Sequence, residues 1–193
     1  LNTERLLCER VLFVEQLRIR GGVPLSGEIA VHGAKNSSLP LLAATILGKS
    51  QSVLHNCPRL SDVDAAIRIL SYLGCAVERS GDTVCVDTSQ LTHFDVPEDL
   101  MREMRSSIVF LGAIAARLGK TRISFPGGCE LGPRPIDLHL SALRTLGACI
   151  REEGGSLGCT APGLTGAEIV LSIPSVGATE NAMLAAIGAK GVT

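Results

Sequence analysis

One cysteine in this chain stands apart from the other six. It lies in Phe125-Pro126-Gly127-Gly128-Cys129-Glu130-Leu131-Gly132-Pro133-Arg134-Pro135-Ile136-Asp137, where three glycines and three prolines exclude regular secondary structure around the thiol. Arg134 five residues on, together with a helix start at Asp137, would lower the thiol pKa and make Cys129 a nucleophile or a proton donor. The other cysteines, at positions 8, 57, 75, 85, 149 and 159, fall in helical or strand-like stretches and read as small hydrophobes.

A second candidate is Lys35-Asn36, directly ahead of an apolar helix predicted over Leu39 to Leu47. A helix N-terminus offers free amide donors and positive potential, so a lysine there creates a site for phosphate or carboxylate. The plainer reading is an exposed lysine followed by an Asn or Ser cap. Arg105-Ser106-Ser107 and Ser175-Val176-Gly177-Ala178-Thr179-Glu180-Asn181 open two further helices in the same manner. Three such ends converging on one side would suit an anionic ligand, whereas ordinary capping would explain each separately.

Other look-alikes carry less. Gly48-Lys49-Ser50 and Gly119-Lys120-Thr121 resemble the tail of a phosphate-binding loop, but Ala43 and Ile114 stand where its first glycine belongs. The histidines, at 32, 55, 93 and 139, share no metal-ligand spacing with cysteines or acids, so no metal or cofactor is expected. His139, beside the Asp137 helix start, reads as a surface or supporting residue.

The elements that must hold these groups repeat. Val63, Asp64, Ile67, Leu70, Leu73 and Gly74 recur 73 positions later as Ile136, Asp137, Leu140, Leu143, Leu146 and Gly147, and Val77, Val84 and Val86 recur as Ile150, Leu157 and Cys159. Each set spells an amphipathic helix with an acid at its start and a glycine at its end, followed by a hairpin turning at Ser80-Gly81-Asp82 or Gly154-Gly155-Ser156. Ahead of each lies a helix apolar nearly all round, over Leu39 to Leu47 and Ile108 to Leu118, with a third over Ala182 to Ala189; such helices belong inside a protein. Short strands are predicted before them at Glu28 to Val31, Phe94 to Val96 and Glu168 to Leu171. The unit is strand, buried helix, strand, amphipathic helix, hairpin. It is expected over about 27 to 90 and 94 to 162, with a third, truncated unit over 166 to 193.

Composition narrows the classes. Among 193 residues, Lys+Arg 18 nearly balance Asp+Glu 19, which argues against a nucleic-acid surface. Hydrophobic residues at 46% exclude a disordered chain and fit one domain or two small ones. With aromatics at 3% and 21 glycines, the core must be aliphatic and closely packed around small side chains. The uncharged run from Asn36 to Gly48 falls well short of the ~20 residues of a membrane span, and the charged N-terminus lacks the apolar segment of a secretory signal. An odd cysteine count without paired spacing reads as a reducing cytoplasm and no structural zinc. An initial Leu suggests a processed or truncated chain.

Taken together, Gly33-Ala34-Lys35-Asn36, Met104-Arg105-Ser106-Ser107, the Pro126 to His139 stretch and Pro174 to Asn181 resemble the UDP-N-acetylglucosamine 1-carboxyvinyltransferase family of enolpyruvyl transferases, from about Leu17 to Thr193. The resemblance implies an α+β fold of repeated βαβαββ units, an inside-out barrel with helices within and sheets outside. It implies transfer of the enolpyruvyl group from phosphoenolpyruvate to the 3-hydroxyl of UDP-N-acetylglucosamine, the first committed step of peptidoglycan synthesis. By the same resemblance, Lys35 and Arg134 hold the phosphoenolpyruvate anion, Asn36 touches the sugar, and Arg105, Arg134, Pro135, Ile136, Asp137, Leu138, Ser175, Val176 and Gly177 line the nucleotide-sugar site. Cys129 protonates the methylene carbon or adds covalently to its neighbour. Ile173 replaces a lysine of some relatives, and the family's second domain has no counterpart here. Residues 1 to 20 then read as a leader and strand that normally pairs with that domain, and 21 to 193 as an incomplete cysteine-loop domain. Such a chain is expected to be inactive alone and to self-associate; the competing reading is a non-catalytic binding or assembly module. Neither nucleic acid nor membrane is an expected partner.

Overall fold

The computed structural model describes residues 21–22, 24, 26–125 and 136–193. The chain divides into a unit Leu1–Val31, whose described residues form no helix or strand, and a unit His32–Thr193 that contains every element named below.

The second unit begins with α1 (Lys35–Thr45), β1 (Gln51–Leu54), α2 (Ser61–Tyr72) and the hairpin β2 (Ala76–Ser80) and β3 (Thr83–Asp87). A second round follows as β4 (Asp95–Val96), α3 (Glu98–Glu103), a 3-10 turn (Ser107–Val109) that runs into α4 (Phe110–Leu118), β5 (Lys120–Ser124), α5 (Asp137–Thr145) and the hairpin β6 (Cys149–Glu153) and β7 (Ser156–Thr160). Then comes α6 (Val176–Ala186).

The helix-and-hairpin part of the repeat deduced from spacing recurs in three dimensions. Gly74 and Gly147 both take φ 97°, a left-handed conformation that stops α2 and α5. The next residue closes each end identically: Cys75 N–H donates to Leu70 C=O and Ala148 N–H to Leu143 C=O, both at 3.0 Å. Both hairpins are antiparallel, and each gains an antiparallel strand from its own round, β1 or β5, with β4 added in parallel at the edge of the second sheet, giving the orders β1-β3-β2 and β4-β5-β7-β6. Val84 and Val86 in one sheet, and Ile123 and Leu157 in the other, turn inward with no exposure and close the core over the helices.

Small residues bring the inner helices together. A Cβ on Gly112 of α4 would lie 2.4 Å from Asn181 Oδ1 of α6, and one on Gly188, just past α6, would lie 2.9 Å from the Ala116 Cβ. That closeness is what a glycine-rich, aromatic-poor sequence makes possible.

Several expectations need correction. Two of the inner helices, α1 and α6, start earlier than their apolar runs, so Lys35 and Asn36 lie within the first turn of α1 rather than ahead of it, while α4 starts at Phe110 after the 3-10 turn and α6 ends at Ala186 rather than Ala189. Only α4 is buried nearly throughout. Leu41 on α1, Val176 and Met183 on α6, and Ile187 just past it are 56%, 76%, 64% and 67% exposed, because no described element packs over those faces. Neither Glu28 to Val31 nor Glu168 to Leu171 forms a strand, since no described strand pairs with them; near the latter there is an isolated bridge from Thr165 to Lys190. The short α3 went unforeseen because six residues show too little periodicity. Cys57, Cys75 and Cys159 are buried as read, with burial pushing the last two thiols up to about 11, but Cys149 is exposed. No described helix is long and apolar enough to cross a membrane.

Candidate functional site

Helix starts do converge. Lys35, Asn36, Leu39 and Pro40 from α1, Asp62 from α2, Arg105, Ser106 and Val109 around the 3-10 turn, and Val176, Gly177 and Glu180 from α6 line one cleft of about 350 Å³. These stretches run from Lys35 to Glu180, far apart in sequence, so the fold alone assembles them.

Local geometry explains each contribution. The turn into α1 is fixed at Gly33, whose N–H donates to Asn56 Oδ1 at 3.1 Å. A Cβ there would sit 1.7 Å from the Asn56 carbonyl oxygen, so only glycine fits; Asn56 itself adopts φ 60°. With Ala34 at the cap position, no side chain caps the first amides of α1, whose first turn lines the cleft through Lys35 and Asn36. Lys35 Nζ donates to Asp62 Oδ2 at 2.8 Å, an ion pair that extends the ammonium across the cleft toward the start of α2. Asp62 therefore sets where the cation stands. Ser107 anchors the turn carrying Arg105 through a buried bond from its hydroxyl to Met101 C=O at 2.8 Å.

On α6, Ser175 Oγ accepts from Ala178 N–H at 3.3 Å, so this hydroxyl acts as a helix cap, as the plainer reading held. Behind Gly177 sits His139 of α5, with the ring Cε1 3.3 Å from where a Gly177 Cβ would be. His139 is buried, which rules out the surface alternative. Asn181 completes the support. Its Oδ1 accepts from Gly112 N–H at 2.8 Å, and its Nδ2 donates to Ile108 C=O at 3.1 Å and faces His139 Nδ1 at 3.2 Å. One amide thus joins α4, α5 and α6 beneath the cleft.

Asn181 Nδ2 can only donate, so His139 Nδ1 accepts and the ring is neutral. Burial holds its pKa below the ordinary 6.5. The neutral ring's contribution is complete above the unfolded value and is lost as pH falls through the folded one. The melting temperature should therefore drop as pH falls from about 7.5 through and below the ordinary histidine range, and His139→Gln should flatten this drop. An unchanged pH slope in that variant would remove His139 as its source. Burial also raises the Glu180 carboxyl pKa above its ordinary value.

Of the residues read from sequence, Lys35, Asn36, Arg105, Val176 and Gly177 meet in this cleft. Ile136, Asp137 and Leu138 lie at the start of α5, on the side where His139 reaches Gly177. Cys129, Arg134 and Pro135 fall outside the described residues. Asp62 is new to the site, while Glu180 and Asn181, which the sequence offers only as part of a helix-opening segment, gain their separate roles from the structure. The only hint of Asp62 was its place in an acidic first helical turn.

Comparison with known proteins follows the same lines. The family model described as EPSP synthase (3-phosphoshikimate 1-carboxyvinyltransferase) matches residues 19–193. UDP-N-acetylglucosamine 1-carboxyvinyltransferase 2 of Caldanaerobacter subterraneus subsp. tengcongensis is 54% identical over 92% of this chain, and UDP-N-acetylglucosamine 1-carboxyvinyltransferase 1 of Symbiobacterium thermophilum is 49% identical over 93%. This chain spans 43% and 42% of the length of those two relatives. Among solved structures, the enolpyruvyl transferase NikO from Streptomyces tendae superposes with a TM-score of 0.66 at 27% identity, covering 77% of this chain and 33% of its own. An EPSP synthase from Acinetobacter baumannii superposes at 0.66 with 18% identity, covering 86% and 39%, which shows the shared fold.

Proposed function

Because the chain belongs to the EPSP synthase family, we propose that it carries the thiol-bearing part of an enzyme that transfers the enolpyruvyl group from phosphoenolpyruvate to the 3-hydroxyl of UDP-N-acetylglucosamine, releasing phosphate. One observation carries this reading: Lys35, Asn36, Arg105 and the Val176-Gly177 turn, drawn from three separate stretches, line one cleft at helix starts. The choice of acceptor sugar follows the names of the two relatives that share about half of its residues.

In this reading Lys35 and the open amides of α1 receive anionic oxygens of the substrates, with Arg134 as a second cation, and Asn36 meets the sugar. Arg105, Pro135 to Leu138 and Ser175 to Gly177 border the nucleotide sugar. Cys129 gives its proton to the methylene carbon of phosphoenolpyruvate, leaving positive charge at the adjacent carbon. The sugar oxygen attacks that carbon and its proton passes to a base. Loss of a methyl proton and of phosphate then restores the double bond, so the transferred group keeps its oxidation level. Covalent addition of the sulfur to the same carbon is the alternative role. The reading also places the protein in the cytoplasm and in cell-wall synthesis.

Selective alkylation tests the central role. An electrophilic phosphonate epoxide should label Cys129 before any other thiol, as read by peptide mass mapping, and Lys35→Ala should slow that labelling at least about tenfold by removing a cation that gathers the phosphonate. Labelling of Cys149, the exposed thiol among the described residues, at the same rate as Cys129 would sink the proposal.

A further inference from the structure

The second sheet carries a feature that the enzymatic reading leaves unused. On its solvent face, Arg122 of β5 and Arg151 of β6 both stand opposite Gly158 of β7, and two residues along on the same face Lys120 and Cys149 stand opposite Thr160. Adjacent strands are ~4.8 Å apart, so the two arginines rise from either side of a bare strip about 10 Å across. Together with Phe94, these residues line a dish of about 450 Å³, a size typical of small-molecule sites.

Gly158 is the telling residue. Its backbone is not among those with positive φ, and a Cβ there would meet nothing nearer than the Arg151 carbonyl oxygen at 4.0 Å. Neither backbone conformation nor crowding demands glycine. Glycine weakens a strand interior, and one standing there without such a cause marks a place where something else approaches the backbone. The first repeat supplies an internal control: in the matching register, Val53 and Glu78 flank Cys85. The scaffold therefore requires neither the arginine pair nor the gap.

Charge points the same way. Among the described residues, no carboxylate lies within ion-pair distance of Arg122 or Arg151. Asp95, beside Arg122 in register, accepts a hydrogen bond from the Tyr72 hydroxyl at 3.3 Å, and Glu153 is the acid on the dish rim. Lys120 Nζ lies 4.2 Å from the Phe94 ring centroid, so a cation and an apolar ring border one end together.

We propose that this dish binds the phosphate group of a small phosphorylated molecule, with Arg122 and Arg151 gripping its oxygens over Gly158 and Phe94 contacting the organic part. Guanidinium forks suit phosphate oxygens, and the gap admits the group between them. The proposal stands independently of the enolpyruvyl reading. Phenyl phosphate and inorganic phosphate, titrated at low ionic strength into the isotope-labelled 193-residue chain, should shift the Gly158, Arg122 and Arg151 amides saturably, with phenyl phosphate binding more tightly. Arg151→Gln should weaken both about tenfold or more. Gly158→Val fills the gap with a residue that strands favour, so it should remain folded and lose binding. Shifts that never saturate, titrations unchanged in Arg151→Gln or in folded Gly158→Val, or tighter binding of an oligoglutamate peptide than of phenyl phosphate would each overturn the proposal.

Discussion

Asn181→Leu should destabilise the fold by about 3 to 5 kcal/mol, read as a shift in the urea midpoint at unchanged slope. Asn181 has no exposure, and its amide satisfies Gly112 N–H and Ile108 C=O where water does not reach. Leucine keeps the branching at Cγ but is bulkier and satisfies neither group, leaving a buried donor and a buried acceptor unpaired. His139 Nδ1 loses its donor in the same step. Asn181→Asp should cost less at low pH than at neutral pH, because a protonated carboxyl can still both donate and accept, whereas a buried carboxylate cannot face Ile108 C=O. A Leu variant within about 1 kcal/mol of the parent chain would show that the three inner helices hold together without this bridge.

The second large effect concerns the cleft cation. Lys35→Ala should weaken binding of an anionic substrate by about 10- to 100-fold in titration calorimetry, through loss of a charge-assisted contact. More than the attraction disappears. Asp62, which accepts from Lys35 at 2.8 Å, is left facing the incoming anion without a counter-charge. Asp62→Asn added to Lys35→Ala should therefore recover part of the loss, whereas additive losses would mean that the carboxylate serves the site in its own right. The pair is partly exposed, so both effects should shrink as salt is added.

What the sequence disclosed, and what it withheld, follow from how far each signal travels along the chain. The 73-residue repetition, the glycine stops at Gly74 and Gly147 and both hairpin turns depend on neighbours within a few residues, and all are found where the pattern placed them. Helix starts were less legible. Lys35 and Asn36 are polar and so were read outside an apolar run, yet α1 begins without a side-chain cap and takes them into its first turn. The strands at Glu28 and Glu168 had suitable residue types, but a strand exists through its partner, and a single segment carries no record of one. The cleft was half visible: convergence of helix starts could be deduced from the repetition, while the Lys35 to Asp62 pairing joins residues 27 apart with no spacing rule to announce it. Ser175 shows the limit in the other direction, since its hydroxyl is committed to Ala178 N–H.

The scarcity of aromatic side chains has a practical result for anyone following this molecule by light. There is no tryptophan, and the one tyrosine, Tyr72, sits at the end of α2, 37% exposed, tilted against the His93 ring at 5.4 Å. Its emission reports on that rim alone. The tightly apposed interior around Gly112 and Ala185 contains no such fluorophore, so optical signals from Tyr72 can vanish while the centre is still intact, or persist after it has loosened.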